Sequence, residues 1–342
     1  MQEKIPSYRH SLYYTAPRQV EVCQEDLPEL GPGKVLVQTN LSAISPGTEM
    51  LVYRGEFPQD IPVDETIDAL ASQFAYPLKY GYSLVGEVIA LGQGVDPIWM
   101  GRRVFAFHPH ESHFVSEPAV LMPVPDDLSS EQAVLLPNME TAVSLIMDGA
   151  PRIGENVIVF GQGIVGLLTT RLLTQFPLSN LITLDQHPLR RQTSRQIGAN
   201  TSLEPDASKP RAQILELMPA GADLTYELSG SPAALNQAIQ VTGYAGRVVI
   251  GSWYGENKAS LDLGGYFHRS RIRLISSQVS RLAPELSGRW SKERRFDLVW
   301  QYLGTIEATQ FITHRIPFQQ ADRAYRLIDQ KPGESIQVLL TY

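Results

Sequence analysis

Residues 107–114, FHPHESHF, place His108, His110 and His113 with Glu111 inside eight positions of a chain that has seven histidines and one cysteine. Imidazoles this close together can coordinate a metal ion, pass a proton near neutral pH, or satisfy a turn. On an extended strand His108 and His110, two residues apart, point the same way, and His113 joins them across a turn. On this stretch alone all three chemistries stay open.

A second stretch carries a sharper signal. In GQGIVG, Gly161, Gly163 and Gly166 stand at the spacing G-x-G-x-x-G, after the strand-like NVIVF and before the helical IVGLLTTRLLTQF. The first glycine permits a tight turn, the second lets a diphosphate approach the backbone, and the third lets helix pack on strand. With Ile164 and Val165 they form a helix amino terminus, whose N–H groups and partial positive charge suit phosphate. Asp185 ends the next strand, LITLD, where a carboxylate accepts hydrogen bonds from both hydroxyls of an adenosine ribose. The same carboxylate repels a 2′-phosphate, so NAD is favoured over NADP. Arg190 and Arg191 follow closely and would neutralise such a phosphate if they point inward, which keeps NADP open.

The elements that must hold these residues fall into two kinds. Residues 8–40 alternate short apolar runs with Pro and Gly punctuation, and SLVGEVIALG and RRVFAF continue the pattern, so the first third reads as β-strands and turns. VDETIDALASQFAYP (63–77) has helical spacing closed by Pro77. From about residue 130 strands and helices alternate: SSEQAVLLPNMETAVSLIM is helical, then come strands at 156–160, 181–185, 222–228, 246–253 and 271–278. That alternation predicts a parallel sheet wrapped by helices. A helix, QQADRAYRLIDQ, and a strand, SIQVLLTY, end the chain.

A length of 342 residues suits two domains, and 43% hydrophobic with 19% charged residues is a globular composition. With 29 Lys plus Arg against 36 Asp plus Glu the formal charge is −7, a field that repels nucleic acid and anionic lipid. MQEKIPSYRHSLYY lacks the apolar stretch of a signal peptide and no run approaches the ~18 apolar residues of a membrane span, so a cytoplasmic protein is expected. Cys23 alone permits neither an internal disulfide nor a cysteine-rich zinc site, and reads as a strand residue facing a core.

In order along the chain, GTE (47–49), GYSLVGEV (81–88), GRRV (101–104), ETA (140–142), the glycine turn, Asp185, IGA (197–199), LSG (228–230) and VVIG (248–251) resemble the medium-chain dehydrogenase/reductase family over nearly the whole length. YPLKYGYSLVGEV with RVFAFHPHESHFV looks like a subgroup named after the bacteriochlorophyllide hydroxyethyl dehydrogenase. The resemblance implies an α/β fold: a doubly wound Rossmann sheet in residues 138–281, and a GroES-like β-rich catalytic domain formed by 1–137 and 282–342. It places the active site in a cleft between the two, adds Thr141, Ser229 and Gly251 to the cofactor-binding set, and implies a homodimer formed through the edge strand GRVVIGSW.

The family's zinc members have Cys-Gly-Thr-Asp where this chain has Pro46-Gly47-Thr48-Glu49, and Gly-His-Glu where it has Gly81-Tyr82-Ser83; Pro137 takes the third ligand position. Proline has no side-chain donor, so no zinc is expected and no metal ligand is assigned. Hydrogen-bond donors must then do the polarising. By the resemblance, Thr48 is the hydroxyl that relays the substrate proton, Tyr82 stands at the vacated ligand position, and His108 lines the substrate pocket, where it would give or take a proton. Glu140, beside Thr141, is a further acid candidate. Glu49 and Arg54 read as structural groups, with Arg54 one candidate partner for Glu49.

The expected function is zinc-independent, NAD(P)(H)-dependent hydride transfer between nicotinamide and an alcohol/ketone pair, with a small molecule as the only partner beyond a second copy. Two alternatives stand beside it. One is a zinc-free reductase of conjugated double bonds, suggested by the zinc loss and by YRGEFP (53–58). The other is a nucleotide-binding protein that catalyses nothing.

Overall fold

The structure, a computed structural model, describes residues 6–58, 74–206 and 210–342. The helix expected over 63–77 lies largely outside the described residues. In chain order the elements are β1 Tyr8–Ala16, β2 Gln19–Asp26, β3 Val35–Ile44, α1 Thr48–Arg54, β4 Leu78–Lys79, β5 Leu84–Leu91, β6 Arg103–Ala106, β7 His113–Ser116, β8 Met122–Pro123, α2 Ser130–Ala133 and α3 Leu136–Gly149. There follow β9 Asn156–Phe160, α4 Ile164–Leu173, β10 Asn180–Leu184, α5 Pro188–Gln196, β11 Thr201–Leu203, α6 Pro210–Leu215, β12 Ala222–Glu227, α7 Pro232–Val241 and β13 Thr242–Ile250. The chain closes with β14 Arg273–Ser276, α8 Lys292–Thr305, β15 Ile312–Pro317, α9 Ala321–Gln330 and β16 Gln337–Thr341.

The chain divides into two compact units. The first comprises the chain up to Pro137 with Leu303–Lys331 and Gln337–Tyr342; the second comprises Asn138–Tyr302 with Pro332–Ile336. The second unit runs on past residue 281 because α8 is bound into it, through Arg295 to Glu140 and Ser144 of α3.

The first unit is β-rich. Its larger sheet runs β15-β16-β3-β5-β6-β8 with β7 paired to β3, and a smaller sheet runs β2-β1-β4. β3 is the hub: VLVQTNLSAI is buried at eight of its ten positions because it pairs with β16, β5 and β7. Gly86 of β5 is required there, since a Cβ would stand 2.4 Å from the carbonyl oxygen of Gln38. In α9, ADRAYRLIDQ buries Ala321, Ala324, Tyr325 and Ile328, one stripe at helical spacing, against the core that holds Tyr14, Val52, Phe57 and Val338.

The second unit is a six-stranded sheet in the order β11-β10-β9-β12-β13-β14, every pair parallel. Counted within the unit the order is 3-2-1-4-5-6, which reverses direction beside β9 and opens a crevice at that strand's carboxyl end. The strands are near-continuous apolar runs, as expected for a sheet covered on both faces. GRVVIGSW is not the edge strand: β13 pairs with β12 on one side and β14 on the other, and β14 is the edge. β11, three residues long, is too short to show a period in sequence.

Candidate functional site

The chain leaves β9 through Gly161, whose φ of +85° is open to glycine and strained for other residues; a Cβ there would also lie 2.5 Å from the carbonyl oxygen of Leu228. Gly163 caps α4 without a side chain in the way, and Leu167 is the first amide to reach back along the helix, to Gly163 O at 2.9 Å. The N–H groups of Ile164, Val165 and Gly166 before it have no intrahelical acceptor, so this turn presents donors to an anion. Gly166 must be glycine for packing: a Cβ would meet the oxygen of Gly161 at 2.0 Å.

Asp185 follows β10 and is 7% exposed. Its Oδ2 accepts the backbone N–H of Gln162 and its Oδ1 that of His187, each at 2.8 Å. Each oxygen keeps further lone-pair capacity for ribose hydroxyls. Burial, and then the charge of Arg190, hold the His187 imidazole below its ordinary range.

Both arginines are held on main-chain carbonyls. Arg190 donates through Nη2 to the carbonyls of Pro332 (2.8 Å) and Ser335 (3.0 Å), with Nη1 3.9 Å from Asp185. Arg191 donates to the carbonyls of Asp185 and Gln186 and pairs with Glu204 at 3.1 Å.

At the end of β12 the fully buried Glu227 accepts the N–H and hydroxyl of Ser229 (2.9 and 2.5 Å) and the hydroxyl of Tyr254 (2.5 Å). Gly251 N–H donates to the carbonyl of Glu227 at 3.0 Å. In α3, Glu140 is clamped by Arg295 at 2.5 Å, and that guanidinium also reaches Ser144 and the carbonyl of Val279. Burial pushes the Glu140 carboxyl above its ordinary range against the pull of Arg295. Thr141, next along α3, is half-buried.

In the first unit Thr48 opens α1, and Tyr82 donates its hydroxyl to Ser45 Oγ at 2.6 Å. The Ser45 N–H donates to Glu49 at 2.8 Å. Glu49, wholly buried, accepts Tyr325 (2.6 Å), His110 Nε2 (3.0 Å) and Tyr14 (3.1 Å) on its other oxygen. Burial and the Glu49 charge push both tyrosine hydroxyls well above their ordinary value. Arg54 is not the partner of Glu49: it pairs with Asp329 at 2.7 Å. A charged arginine is thereby kept near the surface, and neutral or imidazole donors satisfy the buried carboxylate.

The three histidines part company. β6 ends at Ala106 and residues 107–109 are not in a strand, so the two-residue period does not hold. His110 turns inward, wholly buried, with Nδ1 on Ser42 Oγ at 2.7 Å. His108 keeps 20% of its side-chain surface, stacks on Phe114 with ring centroids 4.1 Å apart, and sets Nε2 3.0 Å from Glu111. His113 meets Ser112 at 3.2 Å, and burial lowers its imidazole below the ordinary range. Among the described residues no three His, Cys, Asp or Glu side chains gather as a metal-binding group.

The positions that the resemblance matches to the family's zinc ligands hold side chains that fit the ion poorly. Pro46 and Pro137 carry no donor atom, and the Tyr82 hydroxyl is bonded to Ser45. The structure thus joins Tyr82, Ser45 and Glu49 beside Thr48, and sets His108 in a separate group with Glu111. Sequence reasoning missed Glu227, Tyr254, Ser45 and the partners of Glu111, which are Arg9 and Lys79 at 2.6 Å each. Arg9 lies 102 positions from Glu111, and only the fold brings them together.

A family model described as zinc-binding dehydrogenase matches residues 165–294. The (R,R)-butanediol dehydrogenase of Bacillus subtilis is 30% identical over 250 residues, 65% of this chain and 71% of that protein. The D-guloside 3-dehydrogenase of Escherichia coli K12 is 23% identical over 350 residues, 97% of this chain and 99% of that protein. Among solved structures, a short chain alcohol dehydrogenase, RspB, from Escherichia coli CFT073, complexed with NADH, superposes with a TM-score of 0.79 at 20% identity. The alignment covers 98% of this chain and all of that one. At that identity the likeness is one of fold.

Proposed function

This chain belongs to the zinc-binding dehydrogenases of the medium-chain dehydrogenase/reductase superfamily, NAD(P)-dependent oxidoreductases, and on that premise we propose that it interconverts an alcohol and a ketone with NAD(H) and without zinc. The observation that carries the reading is the glycine turn after β9 with Asp185 at the end of the adjacent strand. When bound, the nicotinamide supplies the hydride acceptor or donor at C4. Gly161, Gly163 and Gly166 with the N–H groups of Ile164 and Val165 hold the diphosphate, and Asp185 holds the adenosine ribose. Thr141, Ser229 and Gly251 complete the cofactor set.

NAD over NADP is supported by the commitment of both arginines to carbonyl oxygens and, for Arg191, to Glu204. Arg190, with Nη1 3.9 Å from Asp185, stays tied to the Pro332 and Ser335 carbonyls, so the carboxylate is the group that a 2′-phosphate would meet.

The zinc-free part of the proposal is supported by the donor set: Pro46, Tyr82 and Pro137 are not zinc ligands. In place of a Lewis acid, the Thr48 hydroxyl and a Tyr82 hydroxyl turned from Ser45 would stabilise charge on the substrate oxygen, and His108 would exchange the proton. The names of the relatives, a butanediol and a guloside dehydrogenase, direct the substrate search toward secondary alcohols of diols and sugar derivatives.

The test is turnover of NAD⁺ with a panel of vicinal diols and sugar alcohols in the presence of a chelator. Tyr82→Phe and His108→Gln should each lower kcat by about tenfold to a thousandfold. Chelator-sensitive turnover would sink the zinc-free reading, and a protein that binds NADH yet oxidises no member of the panel would favour a non-catalytic role. In the YRGEFP stretch, Tyr53 and Phe57 are core residues.

A further inference from the structure

His108 and His110 each set Nε2 on a carboxylate, but His110 is sealed in the core whereas His108 keeps part of its surface. That difference makes the partner of His108 the one that bears on chemistry. Glu111 is 2% exposed and its backbone is stitched in place: its carbonyl accepts the Thr39 hydroxyl at 2.5 Å, and its neighbours pair with β1, His110 O accepting Leu12 N–H and Ser112 N–H reaching His10 O. The carboxylate is equally fixed. Oε1 takes Lys79 at 2.6 Å and Ser11 at 3.2 Å; Oε2 takes Arg9 at 2.6 Å and His108 at 3.0 Å.

With two permanent cations against it Glu111 is ionised, and an ionised carboxylate only accepts. Burial would raise its carboxyl, but the hydrogen bond and charge of His108, with Arg9 and Lys79, outweigh that and hold it below the ordinary range. The imidazole nitrogen facing it must therefore carry hydrogen. The other nitrogen, Nδ1, meets no hydrogen-bonding group among the described residues, and stacking on Phe114 fixes the plane of the ring.

We propose that Glu111 is a positioning residue for His108: it keeps the imidazole proton on Nε2 and so leaves Nδ1 as the atom that receives the substrate hydroxyl proton. This rests on the reading of His108 as the proton-exchanging group. In alcohol oxidation the substrate O–H proton passes to Nδ1, the C–H bond gives its hydride to the oxidised nicotinamide, and the C=O bond forms. The resulting imidazolium faces Glu111 and returns the proton to water; in ketone reduction it returns the proton to the substrate oxygen.

The test reads the tautomer first and the rate second. Imidazole nitrogen NMR of protein labelled with ¹⁵N-histidine, with His108→Gln supplying the assignment, should show neutral His108 as a single tautomer protonated at Nε2. Glu111→Leu, which removes every acceptor at that point and leaves Arg9 and Lys79 paired with Glu25, should give a mixture of tautomers. With the panel alcohol that wild type oxidises best, kcat should fall about tenfold or more while KM changes by less than about threefold. Neutral His108 protonated at Nδ1 in wild type, or a tautomer ratio unchanged in Glu111→Leu, would overturn the proposal; should that variant not fold, the wild-type spectrum decides alone. Unchanged kcat in His108→Gln would instead remove the proton-exchange reading, whatever tautomer the spectrum records.

Discussion

Asp185 Oδ2 accepts the backbone N–H of Gln162 at 2.8 Å, so the carboxylate assigned to the ribose also braces the turn assigned to the diphosphate. The two halves of the nucleotide site are mechanically one. Asp185→Ala loses both services, and NADH affinity should fall by about tenfold or more, on the scale of 1.4 kcal/mol per tenfold. Asp185→Asn keeps a carbonyl oxygen for Gln162 and should lose less. Fluorescence titration with NADH checks both, and equal affinity in wild type and Asp185→Ala would contradict the assignment.

Cofactor preference follows from where the neighbouring cations are held. Arg190 and Arg191 bind main-chain carbonyls, so neither is free to move toward a 2′-phosphate without leaving those oxygens unpaired. NADPH should bind about tenfold or more weakly than NADH. Arg191→Ala should leave that ratio unchanged, whereas Asp185→Ser should narrow it. A ratio that collapses in Arg191→Ala would show that its guanidinium does reach the phosphate.

Metal content separates two chemistries that the fold alone allows. Protein dialysed against a strong chelator should keep its turnover and hold well below one zinc per chain by elemental analysis. One zinc per chain bound at Tyr82, lost together with activity and restored with it, is the contrary result.

The glycine turn and acidic strand end of the proposed nucleotide site were legible in sequence because they are local. Turn, helix start and acidic strand end lie within 25 residues, each with its own stereochemical signature, and the parallel strands announce themselves as apolar runs. The other group was not, because its parts meet through the sheet: Arg9, Glu25 and Lys79 come from β1, β2 and β4 to a glutamate between β6 and β7. FHPHESHF misled in one respect. Alternation holds only in a strand, and this segment leaves the strand at Ala106, which sends His110 into the core and keeps His108 near the surface. Glu49 likewise gave no sign of choosing a histidine 61 residues away over an arginine five residues on.

Gly81 lies between the buried His110 ring, against which it packs, and Tyr82, the next residue along the chain and a member of the proposed chemistry. Its φ is +116°, and a Cβ would stand 2.6 Å from Cδ2 of a ring anchored at both nitrogens, so His110 cannot yield. Gly81→Ala should cost about 2 kcal/mol or more in unfolding by urea and should displace Tyr82, lowering kcat as well. Wild-type stability in this variant would mean that the ring has room the geometry denies it.

Acid should weaken the first unit more than the second. In the first unit the Glu25 carboxyl is held at about 2: burial would raise it, but hydrogen bonds from Lys79, Ser11 and Tyr13 prevail, and Glu111 is lowered beside it. A carboxyl depressed by folding adds stability that is complete above its unfolded pKa, 4.5, and is lost as pH falls from there toward 2. In the second unit burial would raise Glu155 but its bonds to Arg247 hold it low, whereas burial raises Glu140 and Asp148; at those two the folded form takes up protons more readily than the unfolded chain, and the stability gained as pH falls through their raised values offsets the loss at Glu155. Below pH 4.5 the first unit should therefore weaken ahead of the second. Urea unfolding followed at pH 6 and pH 3, with Trp99 as the reporter in the first unit and Trp253, Trp290 and Trp300 in the second, should show two transitions drawing apart as pH drops. Glu25→Gln should flatten the acid loss in the first transition and leave the second where it was. A single transition that shifts identically in wild type and Glu25→Gln would refute the account.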